Sequence, residues 1–232
     1  MKLSIIIPAY NCEPTITELL NRVNKVSIKG LKKEVIVIDD GSGDKTYSIL
    51  KKRHDILLFQ HKNNLGKGSA VRTGLENSTG NIIYLQDADL EYDPSEIPLL
   101  VNPIVEKKAE AVFSSRRLNK DNMYSSKLYK WGGAFVDGLI SFILRANITD
   151  ASSGSKAFTR NVYNKIKPLT SRGFDIEAEL TAKMIRNGIK PLEVSISYYP
   201  RTHKQGKNIR WYHAFFILRS LMKYSFTQKR DA

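Results

Sequence analysis

Short apolar runs that alternate with helix-like segments limit the folds open to this chain more than any other feature. The runs occupy residues 3–7, 34–38, 56–59 and 81–85, and turn-forming residues bound each of them. Their apolarity is continuous, which is typical of parallel strands buried on both faces of a sheet. The segments between them carry apolar side chains at helical spacing and occupy residues 15–26, 45–53 and 68–77. This order predicts an α/β fold with a mostly parallel sheet, flanking helices and right-handed crossovers.

The second half of the chain follows a different pattern. A helix is predicted to open at Asp93-Pro94, where proline suits the first turn, and a strand follows it at residues 111–114. Beyond Arg117 the predicted elements are helices at residues 125–147, 174–187 and 209–226 and a strand at residues 192–198. No internal repeat or linker separates them, so residues 1–232 are predicted to form one domain.

Charge and cysteine content narrow the classes of partner and compartment. The 232-residue chain has 37 Lys and Arg against 23 Asp and Glu, a net charge of +14. Such an excess favours anionic partners, namely nucleic acid, phosphorylated substrates or an anionic membrane surface. The single cysteine, Cys12, excludes an intramolecular disulfide and suits a reducing compartment. We expect neither a signal peptide nor a transmembrane helix, because no basic n-region precedes the first run and no uncharged apolar span reaches about 18 residues.

Two carboxylates follow the apolar run at residues 81–85. Asp87 and Asp89 stand one residue apart directly after it. The carboxyl ends of buried strands border the binding crevice of open α/β folds. Paired carboxylates there offer hard oxygen ligands for Mg²⁺ or Mn²⁺, the ions that accompany bound phosphates. A solvated acidic turn is the alternative for an isolated pair of this kind.

Two further predicted strands end in polar residues at the same edge of the sheet. The second apolar run continues into Asp39 and Asp40, and the first continues into Pro8 and Tyr10. An acidic side chain just past a strand can accept hydrogen bonds from ribose hydroxyls, and a tyrosine ring can stack on a base. Helix capping is the alternative for the acids. Three polar strand ends together predict a nucleotide site.

The segment Gly66-Lys67-Gly68 opens the third predicted helix. It lacks the spacing and the trailing residues of a Walker motif, which argues against a P-loop NTPase. A ligand role and a tight turn are equally consistent with it. The four histidines show no metal-ligand spacing and are predicted to be surface or core residues.

These motifs together resemble those of inverting glycosyltransferases of the GT-A fold, which use nucleotide-diphosphate sugars. The matching segments are IIIPAYN at residues 5–11, IDDGS at residues 38–42, NLGKG at residues 64–68 and QDADL at residues 86–90. Later segments resemble the branch that contains dolichol-phosphate mannose and glucose synthases. They are SSR at residues 114–116, DASSGSK at residues 150–156, GFDIE at residues 173–177 and RTHKQGK at residues 201–207.

The resemblance implies a role for each matching position. The nucleoside and nucleotide-sugar contacts would be Pro8, Tyr10, Ile38, Asp39, Asp40, Asp87, Ala88 and Asp89, of which Asp87 and Asp89 would also hold the metal. The donor diphosphate and the acceptor phosphate would be bound by Arg116, Lys156, Arg201 and Lys207. Asp89, Arg116 and Asp150 are the implied catalytic residues, with Asp150 orienting or assisting the acceptor. Residues 1–117 would form the donor half, and residues 118–232 would form the acceptor and membrane-facing half.

Two positions depart from the family pattern. Cys12 stands where the family usually has a nucleotide-contacting Glu, which leaves open whether Glu13 substitutes for it. Ser155-Lys156 replaces the usual aromatic-Arg pair, so bidentate recognition of a phosphate is weakened to a point charge.

Two predicted helices favour a lipid acceptor. Residues 125–147 include Trp131 and Phe135, residues 209–226 include Trp211 and Phe215, and basic residues surround both sets. Basic amphipathic helices of this kind bind membrane interfaces, although packing on the core is the ordinary alternative. We therefore expect C-terminal interfacial helices and peripheral attachment to the cytoplasmic face of a membrane.

The expected function is the metal-dependent, inverting transfer of a hexose from a nucleotide-diphosphate sugar, of the GDP-mannose or UDP-glucose type, to dolichyl or undecaprenyl phosphate. One alternative is a transferase of the same fold with a soluble or polysaccharide acceptor. Another is a module that binds nucleotide sugars or nucleic acid without catalysis. Nucleic acid is not an expected partner, because the aromatic residues lie on helical stripes rather than on an exposed basic sheet or groove.

Overall fold

A seven-stranded sheet with helices on both faces forms the scaffold of the residues that the structure describes. The computed structural model describes residues 1–123, 127–200 and 223–224. In those residues the strands are β1 (Lys2–Ala9), β2 (Lys32–Asp39), β3 (Leu57–Gln60), β4 (Ile82–Leu85), β5 (Ala111–Ser115), β6 (Lys156–Thr159) and β7 (Leu192–Ser195). The helices are α1 (Ile16–Lys25), α2 (Thr46–Leu50), α3 (Lys67–Asn77), α4 (Ile97–Val105), α5 (Lys127–Leu144), α6 (Arg160–Ile166) and α7 (Ile176–Arg186). A short 3₁₀ turn, Pro94–Glu96, precedes α4.

The strand order is β3-β2-β1-β4-β6-β5-β7. β1 pairs in parallel with β2 on one side and with β4 on the other. The chain therefore moves outward from β1 to β3 and then returns to the opposite side, which places the topological switch point between β1 and β4. Open α/β sheets bind their ligands outside the carboxyl ends of the strands at this point.

The continuous apolarity of the central strands matches burial on both faces. Ile5, Ile6 and Ile7 of β1 are all fully buried, and they alternate between two apolar clusters. One cluster packs α1 and α4 against the sheet, and the other packs α3, α6 and α7 against the opposite face. This arrangement confirms the predicted mostly parallel α/β sheet.

One strand departs from the parallel pattern. β6 runs antiparallel to both β4 and β5, and it was not predicted as a strand. Its first residue, Lys156, is a fully buried lysine, so the segment does not show the apolar run of the other strands. The pairing joins elements on both sides of residue 117 into one sheet, while the division into donor and acceptor halves stays a prediction.

The predicted long helix is present as α5. The predicted helix at residues 209–226 lies outside the described residues, apart from residues 223–224, which are helical. Among the described residues, no helix combines the length and the apolar character needed to cross a membrane.

Candidate active site

The ends of β1, β2 and β4 bring the predicted nucleotide-site residues together. Pro8 lies opposite Ile38 and Ala9 lies opposite Asp39 in the β1–β2 pairing. On the other side of β1, the backbone N–H of Gln86 donates to the carbonyl of Ile6 at 3.0 Å, so the segment after β4 leaves the sheet beside β1. The carboxylates that follow β2 and β4 therefore flank the end of β1 at the switch point.

Asp39 is the buried acid best suited to a ligand. Its side chain is fully buried, and its Oδ2 accepts a long hydrogen bond of 3.4 Å from Nε2 of Gln60. Its Oδ1 is also buried but has no hydrogen-bond partner among the described residues. Because buried carboxylate oxygens in proteins are nearly always hydrogen-bonded, a donor N–H or O–H is expected to complete this group. Tyr10, at the end of β1 and 41% exposed, offers a ring face at the same edge.

Asp40 faces the loop before α3. Its carboxylate accepts hydrogen bonds from the backbone N–H groups of Leu65 and Gly66 at 3.0 and 2.8 Å, and Nδ1 of His61 lies 2.6 Å from it. Gly66 has a φ of 94°, and a Cβ there would overlap the carbonyl oxygen of Arg172, so this position requires glycine. Asp40 therefore stabilises the loop before α3. Its contact with a nucleoside stays a prediction.

Asp87 forms an ion pair with Lys67, in the segment for which the sequence left open a ligand role or a tight turn. Nζ of Lys67 lies 2.6 Å from Oδ1 of Asp87 and 3.1 Å from Oε1 of Glu177. Burial opposes the charge of Lys67, but the two carboxylates raise its pKa above the usual range, so the ammonium stays protonated. A lysine at the first residue of a helix is disfavoured by the helix dipole. A lysine at this unfavourable helix position is therefore the sequence signal that could have identified Lys67 as a residue of the site.

The carboxylate pair after β4 fits a divalent cation. Asp87 and Asp89 are both half-buried, and Oδ1 of Asp89 accepts a hydrogen bond from the N–H of Glu91 at 3.1 Å. Among the described residues, no three His, Cys, Asp or Glu side chains are grouped so as to hold an ion by themselves. Mg²⁺ commonly takes one or two carboxylates and completes its shell with water and substrate phosphates. The donor set therefore fits an ion that is bound together with a diphosphate.

Arg116 and Asp150 form a buried bidentate ion pair. Nε and Nη2 of Arg116 lie 2.7 and 2.6 Å from the two carboxylate oxygens of Asp150, and the backbone N–H of Arg116 donates to Oδ2 at 2.9 Å. Burial opposes ionisation of Asp150, but Arg116 holds its pKa below the usual range. The carboxylate is thus an ionised anchor for Arg116, whose guanidinium also lies 5.3 Å from the ring centre of Tyr198. A catalytic role for Asp150 stays a prediction.

Lys156 contacts the turn at residues 150–155, which begins at Asp150. Its fully buried Nζ is 2.8 Å from Oε2 of Glu177 and donates to the carbonyl oxygens of Ala151 and Ser153. These contacts tie the 150–155 turn to α7. The ammonium is therefore engaged inside the protein, and a phosphate contact by Lys156, which stays a prediction, would require it to leave these partners.

The residues at the Cys12 departure both have contacts within the protein. Cys12 is buried in the apolar cluster with α1, and burial raises the pKa of its thiol to about 12. The carboxylate of Glu13 accepts a hydrogen bond from the N–H of Lys45 at 3.2 Å, at the start of α2. Glu13 is thus occupied with the loop before α2. Two other predicted residues, Arg201 and Lys207, lie outside the described residues.

Several known proteins resemble the chain in sequence. An uncharacterised protein of Methanocaldococcus jannaschii is 29% identical over 212 residues, which cover 88% of this chain and 85% of the relative. A UDP-N-acetylglucosamine–dolichyl-phosphate N-acetylglucosaminyltransferase of Methanococcus voltae is 27% identical over 228 residues, covering 88% and 89% of the two chains. A dolichol-phosphate mannosyltransferase of Pyrococcus furiosus is 29% identical over 189 residues, covering 79% of this chain but only 53% of the relative.

A solved structure resembles the fold. Glucosyl-3-phosphoglycerate synthase from Mycobacterium tuberculosis, in complex with Mn²⁺, UDP and phosphoglyceric acid, superposes with a TM-score of 0.71 at 19% identity, covering 99% of this chain and 80% of that one. This likeness confirms the predicted GT-A-type fold. The sequence profile of glycosyl transferase family 2 matches residues 4–167, a span that holds the three polar strand ends, Arg116 and Asp150. Since that span is well over half of the chain, the protein belongs to glycosyl transferase family 2.

Proposed function

We propose that this protein transfers a hexose from a nucleotide-diphosphate sugar to the phosphate of a polyprenyl lipid, with inversion at the anomeric carbon. One contact carries the proposal. Gly154 lies so close to Asp87 that a Cβ at position 154 would overlap Oδ2 of that carboxylate. The carboxylate pair that suits the donor therefore lies against the turn that anchors Arg116.

On the donor side, the unpartnered Oδ1 of Asp39 suits a base N–H, and Tyr10 offers a stacking surface. Asp87 and Asp89 would hold Mg²⁺ or Mn²⁺ against the diphosphate. A divalent ion bound there would neutralise the charge that develops on the leaving nucleoside diphosphate. Structures of the synthase of similar fold that contain Mn²⁺ or Mg²⁺ with UDP support this assignment.

The chemistry on the acceptor side requires little from a protein base. A phosphate monoester has a second pKa of about 6, so it is largely dianionic at neutral pH. One of its oxygens would attack the anomeric carbon while the bond to the donor diphosphate breaks, and the diphosphate would leave with the electron pair. Such a reaction does not need Asp150 as a base. Both carboxylate oxygens of Asp150 already accept hydrogen bonds from Arg116. Arg116 would stabilise the negative charge shared by the two phosphate groups.

The exposed face of α5 supports a lipid acceptor. Trp131, Phe135 and Phe142 lie on one face of this helix and are 71%, 72% and 79% exposed. Large aromatic side chains grouped on an exposed face commonly mark an interaction site. A membrane interface suits them, because one helix face can enter the headgroup region without crossing the bilayer. Relatives named as acting on dolichyl phosphate, and one named dodecaprenyl-phosphate galacturonate synthase, support the same acceptor class. We place the protein on the cytoplasmic face, in keeping with its free, buried Cys12.

A soluble phosphorylated acceptor is the second candidate. It is favoured by the likeness to a synthase that was solved with phosphoglyceric acid, which also presents a phosphate monoester. Phosphoglyceric acid also carries a hydroxyl and a carboxylate, so the attacking oxygen as well as the apolar part of the acceptor separates the two proposals.

The test is a matrix of donors and acceptors. Radiolabelled GDP-mannose, UDP-glucose and UDP-N-acetylglucosamine would each be incubated with the full chain, Mn²⁺ and one acceptor. The acceptors are undecaprenyl phosphate in vesicles, dolichyl phosphate in vesicles, and 3-phosphoglycerate. We expect label in the organic extract with one donor and a polyprenyl phosphate. Label on 3-phosphoglycerate alone would establish the second candidate instead, and absence of transfer with every pair would overturn both.

A further inference from the structure

A buried acid on α5 connects the exposed helix to the arginines of the site. Asp137 lies on α5 and is only 1% exposed, while the aromatic side chains of the same helix face outward. A carboxylate in such a position is costly unless ion pairs and hydrogen bonds satisfy it. The partners of Asp137 therefore identify the residues that α5 helps to position.

The first partner is Arg117, the residue next to Arg116. Nε of Arg117 donates to Oδ2 of Asp137 at 3.0 Å. One helical turn earlier, Gly133 has no side chain, and a Cβ there would lie 3.1 Å from Nη2 of Arg117. The arginine thus lies along α5 from Gly133 to Asp137.

The second partner is the turn that follows Asp150. Oδ1 of Asp137 accepts a hydrogen bond of 3.3 Å from the backbone N–H of Ser152. The hydroxyl of Ser152 in turn accepts a hydrogen bond of 2.9 Å from Nη2 of Arg116. Asp137 therefore reaches both arginines, one directly and one through Ser152.

We infer that Asp137 is a positioning residue that orients Arg117 directly and Arg116 through Ser152, and so couples the seating of α5 to the phosphate-binding end of the site. The inference rests on the proposed function, which assigns Arg116 to the phosphate groups, and it adds Arg117 as a second contact of the acceptor phosphate. The side chains of Arg116 and Arg117 are 18% and 20% exposed, so neither is completely enclosed by the protein. Arg116 pairs with the buried Asp150, and Arg117 pairs with the buried Asp137.

The charge of Asp137 is sensitive to pH. Burial and the nearby carboxylate of Asp150 raise the pKa of Asp137 to about 6, while Arg117 and Arg116 oppose the rise. Protonation near that pH would leave Asp137 with the charge and nearly the shape of asparagine. Wild-type protein at low pH should therefore behave as the Asn variant does at every pH.

The test compares Asp137→Asn with wild type in the transfer assay. We expect the KM for the polyprenyl phosphate to rise about tenfold at pH 7.5, because a displaced guanidinium binds the phosphate less well. The kcat should fall by a smaller factor, through the part of the effect that reaches Arg116, and the donor KM should change less than the acceptor KM. Asp55→Asn, which breaks the exposed pair with Arg53, is the matched control and should leave all three constants unchanged.

The pH dependence distinguishes positioning from simple structural support. The ratio of the two acceptor KM values, variant over wild type, should fall towards one between pH 7.5 and 5.5. Titration of the acceptor phosphate itself cancels in this ratio, because both proteins use the same acceptor. A ratio that stays constant, or constants equal to wild type at pH 7.5, would overturn the inference alone. Wild-type protein without transfer to any polyprenyl phosphate would overturn the proposed function together with it.

A second variant keeps the test decisive if Asp137→Asn fails to fold, as a melting curve would show. Arg117→Lys retains the positive charge but loses the planar fork that lies along α5. We expect the same direction of change in the acceptor KM with an unchanged donor KM. Wild-type constants in this variant would contradict the inference.

Discussion

Nζ of Lys67, at the first residue of α3, lies 2.6 Å from the carboxylate of Asp87, just past the end of β4. The same ammonium is 3.1 Å from Glu177 on α7, and Glu177 is 2.8 Å from the buried Lys156 of β6. Charges of alternating sign thus connect the carboxylate pair to the turn that carries Asp150. The first aspartate of the pair is held in place from inside the protein before any ligand arrives.

Removal of the second carboxylate tests the role of the pair. We expect Asp89→Ala to abolish turnover with little change in melting temperature, because this half-buried side chain contributes little packing. Activity would be measured across a Mn²⁺ titration. Asp121→Asn, at an exposed turn, is the control and should retain wild-type activity. An Asp89→Ala protein that remains fully active in excess chelator would contradict the assignment of this residue to a metal.

The close approach of Gly154 to Asp87 predicts a specific loss in Gly154→Ala. The added methyl group would overlap Oδ2 of Asp87 and displace the carboxylate. We expect binding of the nucleoside diphosphate in Mn²⁺ to weaken by about tenfold to hundredfold, as measured by calorimetry. Gly43→Ala is the matched control, since a Cβ there meets nothing within 4 Å. Equal affinities in both variants would show that Asp87 tolerates the shift.

Loss of the buried anchor of Arg116 should destabilise the fold. We expect Asp150→Asn to reduce the free energy of unfolding by about 3–5 kcal/mol in urea titrations, because it leaves a buried guanidinium without its counter-charge. The pKa of Asp150 is lowered, so its contribution is complete above its unfolded pKa and is lost only as the pH falls through its folded pKa. The loss in the variant should therefore be equal at pH 7.5 and 8.5, where Asp137, with its pKa of about 6, is also ionised.

Asp55→Asn serves again as the comparison, because the exposed Arg53–Asp55 pair should contribute about 1 kcal/mol or less. Similar losses in the two variants would mean that burial of the Arg116–Asp150 pair has no energetic importance. A strong pH dependence between 7.5 and 8.5 would contradict the assigned ionised state of Asp150.

The exposed aromatic face of α5 predicts binding to membranes. Burial of one such side chain in the interface contributes about 2 kcal/mol, so Trp131→Ser and Phe135→Ser should each weaken partitioning into anionic liposomes by about tenfold or more. The melting temperature should remain unchanged, because both side chains are already exposed. Leu57→Ser, at an exposed position of the edge strand β3, is the control. Wild-type flotation of both aromatic variants would leave α5 without a role at the membrane.

Much of the donor side follows from local patterns in the chain. Continuous apolar runs predicted the parallel strands, because a strand buried on both faces has no polar side to expose. The positions of Asp39 and Asp87 followed in turn, since the carboxyl ends of parallel strands meet at one edge. Likewise, the helical spacing of Trp131 and Phe135 predicted the helix that presents them.

The order of the elements and the residues that end each strand thus follow from the amino-acid sequence, since both depend on neighbours a few positions away. Which of those residues remain available for a ligand depends on contacts that form only in the folded protein. Asp39 keeps an unpartnered oxygen, whereas Asp40 holds the loop before α3 and Asp150 holds Arg116. The antiparallel pairing of β6 and the buried contact between Lys156 and Glu177 were decided in the same way. The physical reason is that a buried charge is stabilised only by partners of suitable geometry, and folding brings those partners from distant parts of the chain.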